Sequence, residues 1–267
     1  MSLLAAVILG LVEGLTEYLP VSSTGHLILM GHVLGDDTAD SQAFDIVIQL
    51  GAILAVLVVY GKLLAERLRG LMHREANAIR LFSALAAGFM PAAVIGLLAR
   101  KWIKAHLFGP LPVAGALIFG GILMIAVERV RKAKHIHGED GLENVTVKRG
   151  FFIGIAQCFA MWPGMSRSMS TIVGGQLTGL STATAAEFSF LLGLPTLTAA
   201  CLYEAFKSRH ELSQGSPLPL LVGLVVSFLV AWAVVAFFIR YLQRRGLEPF
   251  GYYRIALGVL VLFLVLR

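Results

Sequence analysis

Two acidic side chains stand four residues apart in an apolar segment near the start of this 267-residue chain. Glu13 and Glu17 are predicted to lie on one face of a helix, where both carboxylates reach the same ion. A charged group at the centre of a bilayer costs about 2.5–3.5 kcal/mol on insertion scales, so it is normally paired or functional. Carboxylate oxygens are the ligands that Mg²⁺ or Ca²⁺ prefers. The pair therefore indicates a divalent-cation site, unless the segment is shallow and water solvates both glutamates.

Hydroxyl groups and one imidazole follow directly after Pro20. Ser22, Ser23 and Thr24 are placed to cap a helix, whose free N–H groups favour phosphate. Ser23 is positioned to attack a phosphorus atom or to orient an attacking water. His26, three residues later on the same helical face, is a candidate base, acid or nucleophile. The sequence leaves these routes open, and for Ser22 capping alone is an equally good interpretation.

A second polar cluster interrupts a later apolar region after Pro163. Ser166, Arg167 and Ser168 are again placed at a helix start, and Thr171 follows one turn later. The guanidinium of Arg167 offers a planar fork to phosphate oxygens and can stabilise the charge of a transition state. Capping is the alternative role for Ser168, and a buried helix hydroxyl is the alternative for Thr171. Together the two clusters suit a phosphate ester or diphosphate better than a neutral solute.

The composition places these clusters in a membrane protein. Hydrophobic residues make up 57% of the chain and charged residues 14%, where a soluble domain carries about 25%. The mean hydropathy is +0.81, which excludes an ordinary cytosolic enzyme. The net charge of +6 lies in short blocks between apolar stretches instead of on one face, so no nucleic-acid partner is expected.

Stretches without Asp, Glu, Lys or Arg predict the transmembrane helices. There are six: Ile46–Tyr60, Leu81–Ala99, Leu111–Val127, Phe188–Tyr203, Leu220–Ile239 and Ile255–Leu266. Two further apolar regions, Leu3–Leu34 and Phe151–Leu180, contain the polar clusters described above. Irregular backbone at membrane depth survives only where protein or a wet cavity surrounds it, so both regions are predicted to be re-entrant helical hairpins.

The two hairpin regions resemble each other in sequence. Three pairs of matching spacings recur at intervals of 144, 143 and 142 residues: Gly10-x-x-Glu13 with Gly154-x-x-Gln157, Pro20-x-x-Ser23 with Pro163-x-x-Ser166, and Asp45-x5-Gly51 with Glu187-x5-Gly193. Three predicted spans separate the copies, and an odd number inverts the second. The predicted fold is therefore all-α and polytopic, one membrane domain over residues 1–267 with inverted repeats at about 1–60 and 151–203.

Basic residues predict the orientation, because short cytoplasmic loops are enriched in Lys and Arg. Fifteen of the 22 basic residues lie in Lys62–Arg80, Arg129–Arg149 and Arg240–Arg254, which the topology places on one side. The acidic loop Asp36–Asp45 and both termini then face outside. Arg100 and four other basic residues also fall outside, against the rule.

Four further residues receive secondary interpretations. Asp45 and Glu187 are predicted at helix starts, where a carboxylate favours the helix dipole. Tyr252 and Tyr253 are predicted in an aromatic belt at the membrane interface or in packing.

Two functions compete on these residues. A lipid diphosphate hydrolase needs a nucleophile beside paired carboxylates, whereas a transporter of lipid phosphate needs only Arg167 and the helix ends. A structural scaffold does not account for charged groups inside the hairpins.

The motifs Glu13-x3-Glu17, Pro20-Val-Ser-Ser-Thr-Gly-His26 and Pro163-Gly-x-Ser-Arg-Ser-x-x-Thr171 resemble those of the undecaprenyl-diphosphate phosphatase family associated with bacitracin resistance. The resemblance runs over nearly the whole chain. It implies a membrane hydrolase that converts undecaprenyl diphosphate to undecaprenyl phosphate, the carrier lipid recycled for cell-wall synthesis.

The resemblance also implies a divalent cation and a site that opens on the external side of a bacterial cytoplasmic membrane. The family's functional positions fall on seven residues: Glu13, Glu17, Ser23, His26, Ser166, Arg167 and Thr171. The identity of the nucleophile, homo-oligomerisation, chain-length preference and any lipid flipping are left open.

Overall fold

The protein is helical throughout the part that the structure describes. A computed structural model describes residues 1–35, 39–209 and 217–265. Within these ranges the only pairing of extended backbone is one isolated bridge between Glu139 and Leu180. The prediction of an all-α fold is confirmed.

Eleven α-helices occur in the described ranges, numbered here in chain order. They are α1 (Leu3–Thr16), α2 (Ser23–Leu34), α3 (Ala39–Val59), α4 (Gly61–Met72), α5 (Ala76–His106), α6 (Pro110–Ala133), α7 (Val147–Cys158), α8 (Arg167–Leu177), α9 (Thr182–Lys207), α10 (Pro217–Arg245) and α11 (Glu248–Val265). Short 3₁₀ turns at Leu142–Asn144 and Phe159–Met161 precede and follow α7.

The membrane spans lie where the charge-free stretches predict them. Among the described residues, five helices are long and apolar enough to cross a bilayer: α5, α6, α9, α10 and α11. A sixth span is formed if α3 counts together with α4, which bends away from it by 68°. The chain is thus a multi-pass membrane protein with up to six such spans.

Helix α4 departs from the sequence prediction, which placed a loop there. Gly61–Met72 mixes Lys, Arg and Glu with leucines, and most of its charged side chains are exposed. Such a helix can lie along the membrane surface with its apolar side inward. The bend after Val59 therefore separates an apolar span from a polar surface helix.

Both predicted hairpins return to the side from which they start. In the second hairpin, α7 and α8, the Arg149 Nε at the start donates to the Thr178 carbonyl at the end over 3.1 Å. In the first, α1 and α2, Leu34 at the end of α2 packs against the cluster that contains Ala6 and Leu9 of α1. The turns at Glu17–Ser22 and Phe159–Ser166 form the two tips.

Each hairpin packs its first arm against a distant helix through glycine. A Cβ added to Gly10 of α1 would lie 2.7 Å from the Gly223 carbonyl of α10. One added to Gly154 of α7 would lie 2.3 Å from the Gly88 carbonyl of α5. Gly10 and Gly154 are the matching glycines of the sequence repeat. The inverted repeat stays a prediction, with which this reciprocal packing agrees.

The largest core cluster lies around the hairpin tips. Tyr18, next to Glu17, is fully buried, and its ring meets Phe190 of α9 edge-on at 5.2 Å between centroids. Met165 and Met169, on either side of Arg167 in sequence, are also buried. The polar residues of the tips are thus held by a tightly packed apolar surround.

Two interpretations of acidic residues need correction. Asp45 and Glu187 lie well inside α3 and α9 instead of at their starts. Ser181 caps α9 by accepting a 3.2 Å hydrogen bond from the Thr184 N–H. Of the acidic loop predicted over Asp36–Asp45, residues 36–38 lie outside the described residues, and α3 has already begun at Ala39.

Candidate active site

The tips of the two hairpins touch each other. The hydroxyl of Ser168, in the first turn of α8, donates a 2.8 Å hydrogen bond to the carbonyl of Leu19 in the first tip. This contact brings the N-terminus of α8 next to the turn that leads into α2. Helix N-termini carry free N–H groups and a partial positive charge, so the junction favours an anion.

A serine with the same geometry caps each of the two helices at the tips, and the serine that matches Ser166 in structure is Ser22, not Ser23 as in the sequence repeat. Ser22 has φ 75° and its Oγ accepts from the Gly25 N–H at 3.3 Å, while Ser166 has φ 72° and accepts from the Met169 N–H at 3.3 Å. A left-handed backbone at a non-glycine residue costs on the order of 1–3 kcal/mol and tends to occur at functional sites. The capping interpretation of Ser22 is therefore observed. The cap of α8 is Ser166, and Ser168 instead links the two tips.

An acidic and a basic side chain, one from each hairpin, form an ion pair at this junction. The Oε1 of Glu17 lies 3.3 Å from an Nη of Arg167, with side-chain exposures of 4% and 9%. The other carboxylate oxygen accepts a 2.7 Å hydrogen bond from the Ser23 hydroxyl. A hydroxyl, a carboxylate and a guanidinium are thereby brought into contact.

A third segment completes the surroundings of Arg167. Its Nη1 donates to the carbonyl of Ser189 in α9 at 2.9 Å. The hydroxyls of Ser189 and Thr171 lie 2.6 Å apart, and Thr171 also donates to the Arg167 carbonyl. Sequence analysis missed Ser189, whose only signal is a lone hydroxyl between Phe188 and Phe190. The contact orients the guanidinium from the side opposite Glu17.

Glu13 brings a second carboxylate to the site. The helical backbone continues from Glu13 to Glu17, whose N–H donates to the Glu13 carbonyl at 2.9 Å, so the two side chains lie on successive turns of one face. Glu13 is 1% exposed, and its Oε1 has no hydrogen-bond partner among the described residues. A buried carboxylate oxygen without a partner is costly, and a cation is one group that would satisfy it.

The donor set near Glu13 suits a cation that also binds substrate. Among residues 1–35, 39–209 and 217–265, no group of three or more His, Cys, Asp and Glu side chains could hold a metal ion. Mg²⁺ commonly uses one or two carboxylates, with water and substrate phosphate as its other ligands. Glu13 and Glu17 fit that arrangement.

His26 lies beside the site and both of its ring nitrogens have partners. The Nδ1 faces the Ser22 carbonyl at 2.7 Å and the Nε2 faces the hydroxyl of Tyr253 in α11 at 2.7 Å. A carbonyl can only accept, so Nδ1 carries the proton and, in the neutral ring, Nε2 accepts from Tyr253. The two rings also stack, with centroids 5.7 Å apart. Tyr253 is therefore a partner of His26 as well as a half-exposed aromatic residue.

Ser23 lies against Glu17, and the two partners of His26 are Ser22 and Tyr253. A role for His26 as the base of Ser23 stays a prediction, and the geometry favours Glu17 in that role. Thr24, the next residue of α2, has an exposed side chain.

A buried arginine holds the two tips together. Arg254 of α11 is fully buried and donates to the carbonyls of Pro20 in the first tip and Gly164 in the second, at 3.2 and 2.9 Å. It also donates to the carbonyls of Ala116 and Leu117 of α6. The sequence prediction counted Arg254 among loop charges, which is wrong. Broken backbone at the tips exposes carbonyls that need donors, and this guanidinium supplies them.

These features define the class of protein. It is a helical, multi-pass membrane protein whose two re-entrant hairpins meet at a buried site with two carboxylates, a guanidinium, hydroxyls and two helix N-termini. The chain belongs to the bacitracin resistance protein BacA family, whose model matches residues 6–260. The resemblance drawn from the motifs is thereby confirmed.

Three similar proteins carry the same name. A protein of Sorangium cellulosum named undecaprenyl-diphosphatase is 58% identical over 97% of this chain and 85% of its own length. Proteins of the same name from Rhizorhabdus wittichii and Verminephrobacter eiseniae are 46% and 48% identical. These two matches cover 100% and 97% of this chain, and 98% and 94% of the relatives.

Proposed function

We propose that this protein is a membrane hydrolase that removes the terminal phosphate of undecaprenyl diphosphate and releases undecaprenyl phosphate and inorganic phosphate. Relatives that carry the name undecaprenyl-diphosphatase over nearly the whole chain support the activity and the substrate. The single structural observation that carries it is the Ser23 hydroxyl, 2.7 Å from a Glu17 carboxylate that also pairs with Arg167.

Ser23 is the proposed nucleophile. Its Oγ attacks the terminal phosphorus, its proton passes to the Glu17 carboxylate, and the bond from phosphorus to the bridging oxygen breaks. The leaving group is undecaprenyl phosphate. Water then attacks the phosphoserine, which releases inorganic phosphate and restores the serine. Direct attack by a water that Ser23 and Glu17 orient is the competing route, which trapping experiments distinguish.

Arg167 and the helix ends stabilise the charge that develops on the phosphoryl oxygens. The guanidinium already lies beside the nucleophile, held by Glu17 and by the Ser189 carbonyl. Such preorganised donors need no rearrangement during the reaction. The N-termini of α2 and α8 add N–H groups on either side of the junction. The proposed phosphate-binding residues are Ser22, Thr24, Ser166, Arg167, Ser168 and Thr171.

A divalent cation, Mg²⁺ or Ca²⁺, is part of the proposal. Glu13 and Glu17 would hold it, and the unpartnered Oε1 of Glu13 is the observation in its favour. When bound, the cation would neutralise charge on the diphosphate oxygens.

The proposed location is the bacterial cytoplasmic membrane, with the site open to the external side and both termini outside. The basic ends of α6 and α10 and the start of α7 would then face the cytoplasm, as the enrichment of Lys and Arg predicts.

Purified protein in detergent tests the proposal directly. Incubation with a prenyl diphosphate and Mg²⁺ should release inorganic phosphate, and excess EDTA should stop the release. The Ser23→Ala variant, prepared in parallel, should release none above background. Movement of lipid phosphate across a vesicle membrane without phosphate release would favour the transporter instead.

A further inference from the structure

A cavity of about 450 Å³ opens beside Arg167. It lies between α5, α7 and α9, and its walls are mainly alanine, glycine, leucine and aromatic side chains. It runs from Arg167 to the ion pair of Arg100 with Glu204, where the guanidinium of Arg100 stacks over Tyr203 at 4.4 Å. The cavity thus has the Arg167 guanidinium at one end, the paired Arg100 and Glu204 at the other, and apolar walls between them.

One buried polar group in this cavity has no partner. Gln157, near the end of α7, is 2% exposed, and its Nε2 makes no hydrogen bond to any described residue. Its Oε1 lies 3.4 Å from the Thr196 hydroxyl, whose short 2.8 Å hydrogen bond goes to the Leu192 carbonyl, and its Nε2 is the amide atom without a partner. A buried amide donor without an acceptor carries an energetic penalty that a bound ligand can remove.

The polar groups of the lining indicate the chemistry of that ligand. The amide N–H₂ of Gln157 and the guanidinium of Arg167 donate, and the Glu204 carboxylate in the same lining is already paired with Arg100, so the cavity favours an anionic oxygen. The apolar walls next to them select a hydrocarbon on the same molecule. A phosphate joined to a prenyl chain has both features.

We propose that Gln157 is a substrate-positioning residue, whose Nε2 donates to the phosphate that stays on the lipid while the first isoprene units occupy the cavity. This inference rests on the proposed function, because it divides the two phosphates of the same substrate between the two hairpins. The terminal phosphate lies against Ser23 and the carboxylates of the first hairpin. The lipid-side phosphate lies against Gln157 of the second hairpin, and Arg167, which lines the cavity and also pairs with Glu17, serves both phosphates.

The sequence repeat gives the same division. Gln157 occupies in the second hairpin the place that Glu13 occupies in the first. Both are buried and both have an unpartnered atom, an acceptor in Glu13 and a donor in Gln157. A carboxylate suits a cation beside the terminal phosphate, whereas a neutral amide can donate directly to an anionic oxygen of the lipid-side phosphate.

Binding of the product tests the proposal apart from hydrolysis. Farnesyl phosphate carries the lipid-side phosphate and a short prenyl chain and has no phosphoanhydride to hydrolyse, so its binding can be measured without turnover. We expect Gln157→Met, which keeps the shape and removes the donor, to weaken that binding by about ten- to a hundredfold. Gln157→Glu, which puts a carboxylate against the phosphate, should weaken it at least as much.

The KM for farnesyl diphosphate should change in the same direction as the dissociation constant of farnesyl phosphate. The KM of Gln157→Met should rise by about the same factor as the farnesyl phosphate dissociation constant, with kcat changed less than the KM. Cys158→Ala is the matched control, since the neighbouring thiol contacts the Gly154 carbonyl within its own helix. It should bind and turn over as the parent protein does.

The outcomes separate this proposal from the proposed function. Unchanged farnesyl phosphate binding in a folded Gln157→Met variant, with a parent protein that hydrolyses, overturns the Gln157 role and leaves the hydrolase intact. Weakened binding with a parent protein that releases no phosphate supports the lipid-phosphate site and removes the hydrolase. Inorganic phosphate binding as tightly as farnesyl phosphate, or no binding of farnesyl phosphate to the parent protein, overturns the prenyl cavity.

Discussion

The carboxylate of Glu17 and the guanidinium of Arg167 lie 3.3 Å apart, although 150 residues separate them along the chain. Each comes from the tip of a different hairpin, and each is almost fully buried. Burial of two charges is tolerated only when they pair closely and their remaining groups find hydrogen bonds. Ser23 and Ser189 supply those bonds, so the pair is both a junction between the hairpins and the centre of the candidate site.

Replacement of Arg167 should abolish most of the turnover. We expect Arg167→Ala to lower kcat on a prenyl diphosphate by about two to three orders of magnitude, since a preorganised cationic donor is lost. Arg167→Lys keeps the charge beside Glu17 but not the fork, and should also be slow while remaining folded. Arg129→Ala, on an exposed ion pair, is the control. If Arg167→Ala turns over at the parent rate at an equal concentration of folded protein, Arg167 is not part of the site.

A covalent intermediate should be trapped on Ser23. Acid quenching of the enzyme during turnover of a prenyl diphosphate labelled in its terminal phosphate should leave label on the peptide that contains Ser23. Glu17→Gln should slow the formation of this species, because the group that accepts the hydroxyl proton is lost. Turnover at the parent rate by Ser23→Ala would eliminate the serine. Phosphohistidine is stable in base and labile in acid, so label that survives an alkaline quench but not the acid quench would move the nucleophile to His26.

Glu13 should determine the Mg²⁺ concentration that activity requires. Glu13→Gln is expected to raise the Mg²⁺ concentration for half-maximal activity by about tenfold or more, because one charged ligand becomes neutral. Glu17→Gln should raise it as well, on top of its slower chemistry. Glu66→Gln, on the exposed face of α4, should leave the titration unchanged. An identical Mg²⁺ titration for Glu13→Gln would contradict the ligand assignment.

Arg254 should stabilise the whole fold through the two tips. Arg254→Met leaves buried carbonyls without a donor. Each carbonyl that stays unsatisfied should lower the free energy of unfolding by about 1–3 kcal/mol. The Tm in detergent should therefore fall well below that of Arg129→Ala, whose surface ion pair is worth about 1 kcal/mol at most. Activity should fall as well, because Pro20 and Gly164 border the catalytic turns. An unchanged Tm would mean that water replaces the guanidinium at the tips.

The close packing of α7 against α5 should not tolerate a methyl group. A Cβ on residue 154 would come within 2.3 Å of the Gly88 carbonyl, so Gly154→Ala forces the two helices apart. We expect a cost of about 1–3 kcal/mol, measured as a lower Tm. At Gly61 a Cβ meets nothing within 4 Å, and Gly61→Ala should be neutral. Equal Tm values for the two variants would show that α5 moves freely.

The membrane spans and the hairpin breaks could be predicted because their causes are local. A stretch without charges is apolar whatever surrounds it, and within the described residues the six predicted stretches coincide with long helices except at Tyr60, one residue past the end of α3. Pro20 and Pro163 lack the N–H that would continue the preceding helices, although Pro91 and Pro195 lie inside α5 and α9. The surface helix α4 was not predicted, since a mixture of charged and apolar residues is compatible with either a loop or a helix.

The candidate site could be found in outline because charges inside apolar segments are costly and therefore conspicuous. Glu13, Glu17 and Arg167 are identified in this way. Their partners are not, because nothing near Ser189 or Tyr253 in sequence records that these side chains face Arg167 and His26. Arg254 shows the difference best, since its charge alone suggested a loop.

What the sequence by itself determined is which segments cross the membrane, which are broken, and which residue types can carry the chemistry. Only the tertiary structure decided that Ser23 faces Glu17, that Arg254 joins the two tips, and that Gln157 faces a cavity beside Arg167. The physical reason is the distance along the chain over which each interaction acts. Hydropathy and backbone geometry act within a few residues, whereas hydrogen bonds and ion pairs depend on distances that folding alone sets.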